Sequence, residues 1–313
     1  MRKSSYLFVV FFVFIGVLLL TGCRPGNAIS QNQSATSTTS PQNPTHTIAP
    51  SATSTHLPTL TATATEVPMT PTPTLTQTLT LTPTPVRVYN EPGQITAPIL
   101  LYHHVYGEVS TSRYQVSLPD FESQMAALKD MGYTAIPISL FLQALLEGAE
   151  LPEKPIVITF DDGHQSVYEN AFPVMQSYDF PGVFYIVANR INGSPDFVTA
   201  EQLKEMINAG WEVGSHGYSH LDMTLNHSLV AKEIGQSKTD LEYALSTKVL
   251  TFAYPYGTID PFTAQKVSDY GYRAGMGLGK AKTHTFNSLF YLNRIEIYGE
   301  FTLDQFREVL ANQ

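Results

Sequence analysis

Two carboxylates, Asp161 and Asp162, stand side by side in "ITFDDGHQS", where an apolar run ends. Like charges that close repel, and one would take up a proton unless a cation lies beside them. Two imidazoles, His216 and His220, sit four apart in "GSHGYSH", a spacing that serves one metal ion from a helical turn or a tight loop. The helical zinc-protease pattern places a Glu after its first His, but here Gly217, Tyr218 and Ser219 intervene. A base must therefore come from Asp161 or Asp162. Two neutral imidazoles and one carboxylate leave a position open for water on Zn²⁺, and the second aspartate can take that water's proton. Alone, Asp-Asp-Gly is an ordinary turn and His-x-x-x-His arises by chance; together, at the ends of apolar runs, they point to a hydrolytic metal site. A glycosidase fits less well, because its two carboxyl groups stand ~5 Å or more apart across the scissile bond, and sequence neighbours rarely do.

These residues need a scaffold. Strand-like apolar runs occur at 98–102, 133–138, 155–160, 182–187, 211–215, 249–254, 272–277 and 294–298. Segments with helical spacing lie between most of them, at 118–131, 199–209 and 229–245, the second opening on a capping-box-like Thr-Ala-Glu-Gln. Seven or eight strands alternating with helices in roughly 220 residues predict an α/β fold, a distorted (β/α) barrel of parallel strands. No Gly-rich phosphate loop follows the first run, where "LLYHHV" stands instead. In such a barrel chemistry gathers at the C-terminal strand ends. Asp161 and Asp162, His216 and His220, and "AYPYG" at 253–257 all fall at such ends.

The motifs carry a resemblance. "TFDDG", "HGYSH" and "FAYPYG" resemble, in order, the first three motifs of the polysaccharide deacetylases, carbohydrate esterase family 4, and the resemblance spans nearly all of residues 97–300. "ILLYHHV" and "AYPYG" are most similar to the branch that includes poly-N-acetylglucosamine deacetylases. The resemblance implies that Asp161 is the general base, with a metal-bound water as nucleophile. It makes Asp162, His216 and His220 the ligands of one divalent ion, usually zinc, and gives the backbone N–H of Tyr256 a share in holding the oxyanion. The implied activity is removal of N-acetyl groups from N-acetylglucosamine-containing cell-surface or cell-wall polysaccharide. An O-acetyl esterase on xylan or peptidoglycan, or an inactive anchored glycan-binding protein, is the alternative.

Two departures stand out. Ala253 occupies the place of an Arg that orients the base in many members, with Arg294 as a candidate replacement. The terminal Leu-x-Leu-His motif is absent, which leaves the general acid unassigned, with His103 and His104 as candidates. His164 is expected to be a solvated loop residue. Tyr102, Tyr218 and Tyr254 suit sugar stacking and core packing equally, and Trp211 is assigned to packing.

The rest of the chain bears on location. Residues 1–22 read as a lipoprotein signal peptide, with a basic start, an apolar run shorter than the ~20 residues of a spanning helix, and Leu-Thr-Gly before Cys23, the sole cysteine. Residues 23–90 are expected to be a lipidated Cys followed by a disordered Thr/Ser/Pro-rich linker, and 91–313 the catalytic domain. The protein is thus expected to be exported and anchored to the cell membrane through Cys23, facing the cell wall or exterior, as a monomer. Four of the 18 basic and one of the 27 acidic residues lie in the first 90, so the remainder carries 14 against 26. That balance argues against nucleic acid as a partner.

Overall fold

A computed structural model describes residues 86–311. The signal segment, Cys23 and the linker as far as residue 85 lie outside the described residues. Among those described, no helix is long and apolar enough to cross a membrane.

Seven parallel strands form the frame: β1 (Ile99–Tyr102), β2 (Pro155–Phe160), β3 (Val183–Ile186), β4 (Glu212–Ser215), β5 (Thr251–Ala253), β6 (Ala274–Met276) and β7 (Ile295–Glu296). They run β6-β5-β4-β3-β2-β1-β7 across one sheet, with every pairing parallel. The ends meet where Gly277 N–H donates to Leu292 O and Leu292 N–H to Gly275 O, both at 2.8 Å. This brings the chain ahead of β7 against β6, and the sheet is the distorted barrel that the alternation predicts. The run at 133–138 yields only Thr134–Ala135, paired beside the start of β2. Pro137, which lacks an N–H donor, ends it and leads into a helix.

Helices α1 (Leu118–Asp130), α2 (Ile138–Leu146), α3 (Phe172–Ser177), α4 (Ala200–Asn208), α5 (Ser237–Leu245), α6 (Pro261–Asp269) and α7 (Leu303–Ala311) accompany the strands. The capping box read at Thr199 is real: its hydroxyl accepts from Gln202 N–H at 3.2 Å, and Gln202 Oε1 accepts from Thr199 N–H at 2.8 Å. The long helix expected at 229–245 is split. Ala231–Gln236 is a π-helical turn, and α5 follows it.

Strand parity separates two apolar clusters. Ile99, Val157, Val183, Tyr185, Ala253, Ala274 and Met276 fill the barrel interior and continue into a cluster with Ile95, Phe141 and Leu151 at one end. Their alternates Leu100, Ile158, Phe160, Phe184 and Phe252 face the helices. Folded structure also begins earlier than the linker boundary at residue 90. Arg87–Asn90 pairs antiparallel with Ala149–Pro152, the Pro-rich composition having ended at Pro85.

Candidate active site

The inward row of each strand, extended past its end, aims particular side chains at one mouth. On β2 the row Val157, Thr159 leads to Asp161, and on β4 the row Glu212, Gly214 leads to His216. On β1 it leads through Leu101 to His103, and beside β7 it holds Arg294 and Glu296. The last residue of each row, Asp161, His216, His103 and the pair Arg294 and Glu296, joins Asp162, His220, Tyr114 and Tyr256 in lining a cleft of about 320 Å³, within the size range of small-molecule sites. A groove of about 370 Å³ beside Arg87–Asn90 is larger but contains no histidine, so volume alone does not pick the site.

Asp161 is 2 % exposed and Arg294 1 %. The guanidinium grips the carboxylate in a two-pronged fork, Nη1 to Oδ1 at 2.6 Å and Nη2 to Oδ2 at 2.8 Å. Arg294 is itself fixed by Gly277 O at 3.2 Å, Thr159 Oγ1 at 3.4 Å and the Tyr185 ring 5.3 Å beneath it. Burial alone would raise the Asp161 carboxyl, but the charge and hydrogen bonds of Arg294, with His216 nearby, outweigh it and hold the group below the ordinary carboxylate range.

Asp162, His216 and His220 form the metal candidate, with one ligand atom from each lying within 4.8 Å of the others. His216 Nδ1 hydrogen-bonds Ala253 O at 2.8 Å, which turns Nε2 toward the mouth, the usual support for an imidazole ligand. His220 Nε2 stands 3.4 Å from Asp162 Oδ1, about the ~3.4 Å spacing of two ligands ~2.1 Å from a tetrahedral ion. Burial first, then the neighbouring His216, pushes His220 down to about 4, so its ring is neutral near pH 7, the form that ligates. For Asp162, burial opposes ionisation, but His164 beside it and the nearby imidazoles of His216 and His220 keep it well below its ordinary value. The donor set and its support fit a divalent ion.

The backbone reports strain at the same place. Of six non-glycine residues with positive φ among the described residues, three are Asp162 (73°), His220 (62°) and Tyr256 (61°). Such conformations persist where the surroundings over-determine them, commonly at functional sites. Tyr256 lies in the Pro255–Gly257 turn after β5, its ring packed edge-on to His220 at 4.6 Å.

The sequence model of the family described as polysaccharide deacetylase matches residues 148–275, the stretch that holds Asp161, Asp162, His216, His220 and Tyr256. The chain carries a polysaccharide deacetylase domain. It is similar to the poly-beta-1,6-N-acetyl-D-glucosamine N-deacetylase of Staphylococcus aureus, 26 % identical over 198 residues that cover 59 % of this chain and 68 % of that one. It is also similar to the solved structure of IcaB from Ammonifex degensii, with a TM-score of 0.59 and 27 % identity over 71 % of this chain and 98 % of the other. The Streptococcus pyogenes deacetylase PplD in complex with acetate shares the fold, with a TM-score of 0.63 and 24 % identity, covering 73 % of this chain and 100 % of that one.

Within the deacetylase domain, parity also separates the two candidate acids. His103 continues the inward row and lines the cleft, and its buried Nδ1 has no partner among the described residues. Burial lowers its basicity, against the pull of Asp161, Asp162 and Glu296. His104, of opposite parity, also borders the cleft but stacks on His164 at 3.7 Å, and burial with that neighbour pushes it down to about 4. His164 is not the solvated loop residue expected. Its ring lies between His104 and Phe197, with Nε2 3.6 Å from Asp162 Oδ2, because the left-handed turn at Asp162 and Gly163 folds it back over the site.

Of the tyrosines named for sugar stacking, Tyr102 and Tyr254 are buried, their hydroxyls bound to Gln124 Oε1 at 2.8 Å and Phe290 O at 2.9 Å. Trp211 packs on Phe160 in the core, as assigned. The aromatic residues exposed at the cleft are Tyr114 and Tyr256 instead. Arg190, which no motif flagged, donates to Asp162 Oδ1 at 3.2 Å from a short turn after β3.

Proposed function

We propose that this protein removes N-acetyl groups from N-acetylglucosamine-containing polysaccharide in a metal-dependent hydrolysis. The observation that carries the reading is one buried, Arg-held carboxylate, Asp161, set beside an Asp-His-His donor cluster at the mouth of the barrel.

Asp162, His216 and His220 would hold one divalent ion, most suitably Zn²⁺ given two imidazoles and a carboxylate. When bound, such an ion polarises an amide carbonyl and lowers the pKa of water. Asp161, ionised and unable to swing away from Arg294, takes a proton from the attacking water. The carbonyl oxygen gains negative charge as the bond from water to carbon forms, and the backbone N–H of Tyr256 is the donor offered to it. Collapse breaks the C–N bond, the proton that Asp161 took from the water is returned to the leaving nitrogen by way of His103, and acetate and a free amine result. Tyr114 and Tyr256 supply the exposed aromatic faces against which sugar rings would lie.

The reading is tested by incubating zinc-loaded and chelated protein with β-1,6-linked N-acetylglucosamine oligomers, chitin oligomers, peptidoglycan and acetylxylan and measuring acetate. Release from an N-acetylated glycan, lost on chelation and restored by metal, is expected. Release only from acetylxylan would replace it with the esterase, and tight glycan binding without acetate would replace it with a binding protein.

A further inference from the structure

Between His216 and His220 the chain turns its backbone donors away from the cleft and toward a single side chain. Tyr218 N–H and Ser219 N–H donate to Glu233 Oε2 at 3.0 and 2.9 Å, and the Ser219 hydroxyl donates to Oε1 at 2.5 Å. Glu233 is fully buried, yet among the described residues its carboxylate pairs with no Lys, Arg or His. A buried carboxylate without a cation is costly to keep, and its hydrogen bonds here all run to one loop.

The loop is shaped around it. Gly217 has φ 82°, and a Cβ there would lie 2.8 Å from Glu233 Oε2, so the carboxylate approaches as closely as it does because no side chain intervenes. Glu233 sits in the π-helical turn Ala231–Gln236, a distortion that often marks function. Its carbonyl accepts from the Ser237 hydroxyl at 2.6 Å, and Ser237 contacts Ser215 Oγ at 2.9 Å, which in turn accepts from Gly217 N–H at 3.3 Å. Strand end, loop and helix are thereby one network. At the far side of the loop His220 is held at φ 62°, a conformation a non-glycine residue keeps only under constraint.

We infer that Glu233 is a positioning residue for the metal centre: by holding residues 217–219 it presents both imidazoles, 4.8 Å apart, before any ion arrives. The inference rests on the metal-centre reading above. Groups that orient a ligand from behind typically change metal affinity 10- to 100-fold.

The test is an equilibrium zinc titration of the full chain against a competing chelator, with the melting temperature of each metal-free protein measured in parallel. Glu233→Gln keeps the shape and one acceptor, Glu233→Ala removes the clamp, and Leu241→Ala makes a hole in the core on α5 without removing any hydrogen bond of Glu233. We expect affinity to fall about 10-fold for Glu233→Gln and on the order of 100-fold for Glu233→Ala, with Leu241→Ala unchanged even where its melting temperature falls as far. In metal-free Glu233→Gln the amides of Tyr218 and Ser219 should exchange faster than in the wild type. Wild-type affinity in both Glu233 variants, or losses that track melting temperature across all three, overturns the positioning role. A wild type that binds no divalent ion overturns the metal-centre reading beneath it, a failure distinguishable because in the first case the wild type still binds.

Discussion

Asp161 and Arg294 form a buried pair whose members have different work, and substitutions should separate them. Asp161→Asn keeps the shape but loses the proton acceptor, so metal binding should persist while kcat falls by roughly 10²–10⁴, the usual contribution of a general base. Arg294→Met leaves a carboxylate buried without its cation, so it should destabilise the protein by about 3–5 kcal/mol and also lower kcat as Asp161 is pushed toward protonation. Chemical denaturation and acetate-release kinetics on the two variants check both statements. A variant Asp161→Asn with wild-type turnover would remove Asp161 from the role of base. Which of these residues the sequence discloses depends on how each makes its contacts. Asp161, Asp162, His216 and His220 offer their proposed chemistry through side chains at short spacing and are legible directly. Arg294 is 133 residues from Asp161 and is legible only as a replacement for the cation missing at Ala253. Glu233 grips backbone N–H groups, which every residue has, and so leaves no signature of type or spacing.

At the scale of the elements, alternation within strands does the aiming. All eight apolar runs contribute to the sheet, though most are shorter than read, because apolar character continues into buried turns where pairing has stopped. Parity was present in the sequence, but which row faces inward became clear only from the barrel: Gly214 belongs to the inward row because a Cβ there would lie 2.2 Å from the buried Tyr185 ring. That assignment sends His216 and His103 to the mouth and His104 to its rim. It also makes a prediction. Gly214→Ala must displace Tyr185, on which Arg294 rests, so it should cost about 1–3 kcal/mol by overpacking and lower kcat although it touches no reacting atom. Unchanged kinetics in a Gly214→Ala protein that has lost stability would show that Tyr185 does not support the base.

Across the whole molecule the barrel has a charged mouth and an apolar closed end, and the closed end carries its own pH dependence. His284, in Thr283–Thr285 paired with Gln94–Thr96, is 1 % exposed against Phe141, and its Nε2 lacks a partner among the described residues. Burial pushes it down to about 4 in the folded protein. Unfolded, it would titrate near its ordinary ~6.5, so between these values the unfolded chain binds the extra proton. Stability is therefore full above about pH 6.5, falls as the pH drops toward 4, and is flat below, a loss of up to about 3 kcal/mol from this residue. Denaturation curves of wild type and His284→Phe should diverge in slope over that window, and parallel curves would contradict the assignment. The barrel architecture was legible as a count of alternating runs. The extra strand at Arg87–Asn90 was not, since its four residues follow a Pro-rich tract and acquire strand character only by pairing with Ala149–Pro152.

We propose that the Asp-His-His cluster beside Asp161 performs metal-dependent deacetylation. Its most direct test is to titrate zinc into chelator-treated protein while following acetate release from N-acetylglucosamine oligomers. No release is expected without metal, and a rise that saturates near one ion per chain is expected as zinc is added. Release indifferent to chelation, or none after zinc is restored, would contradict it.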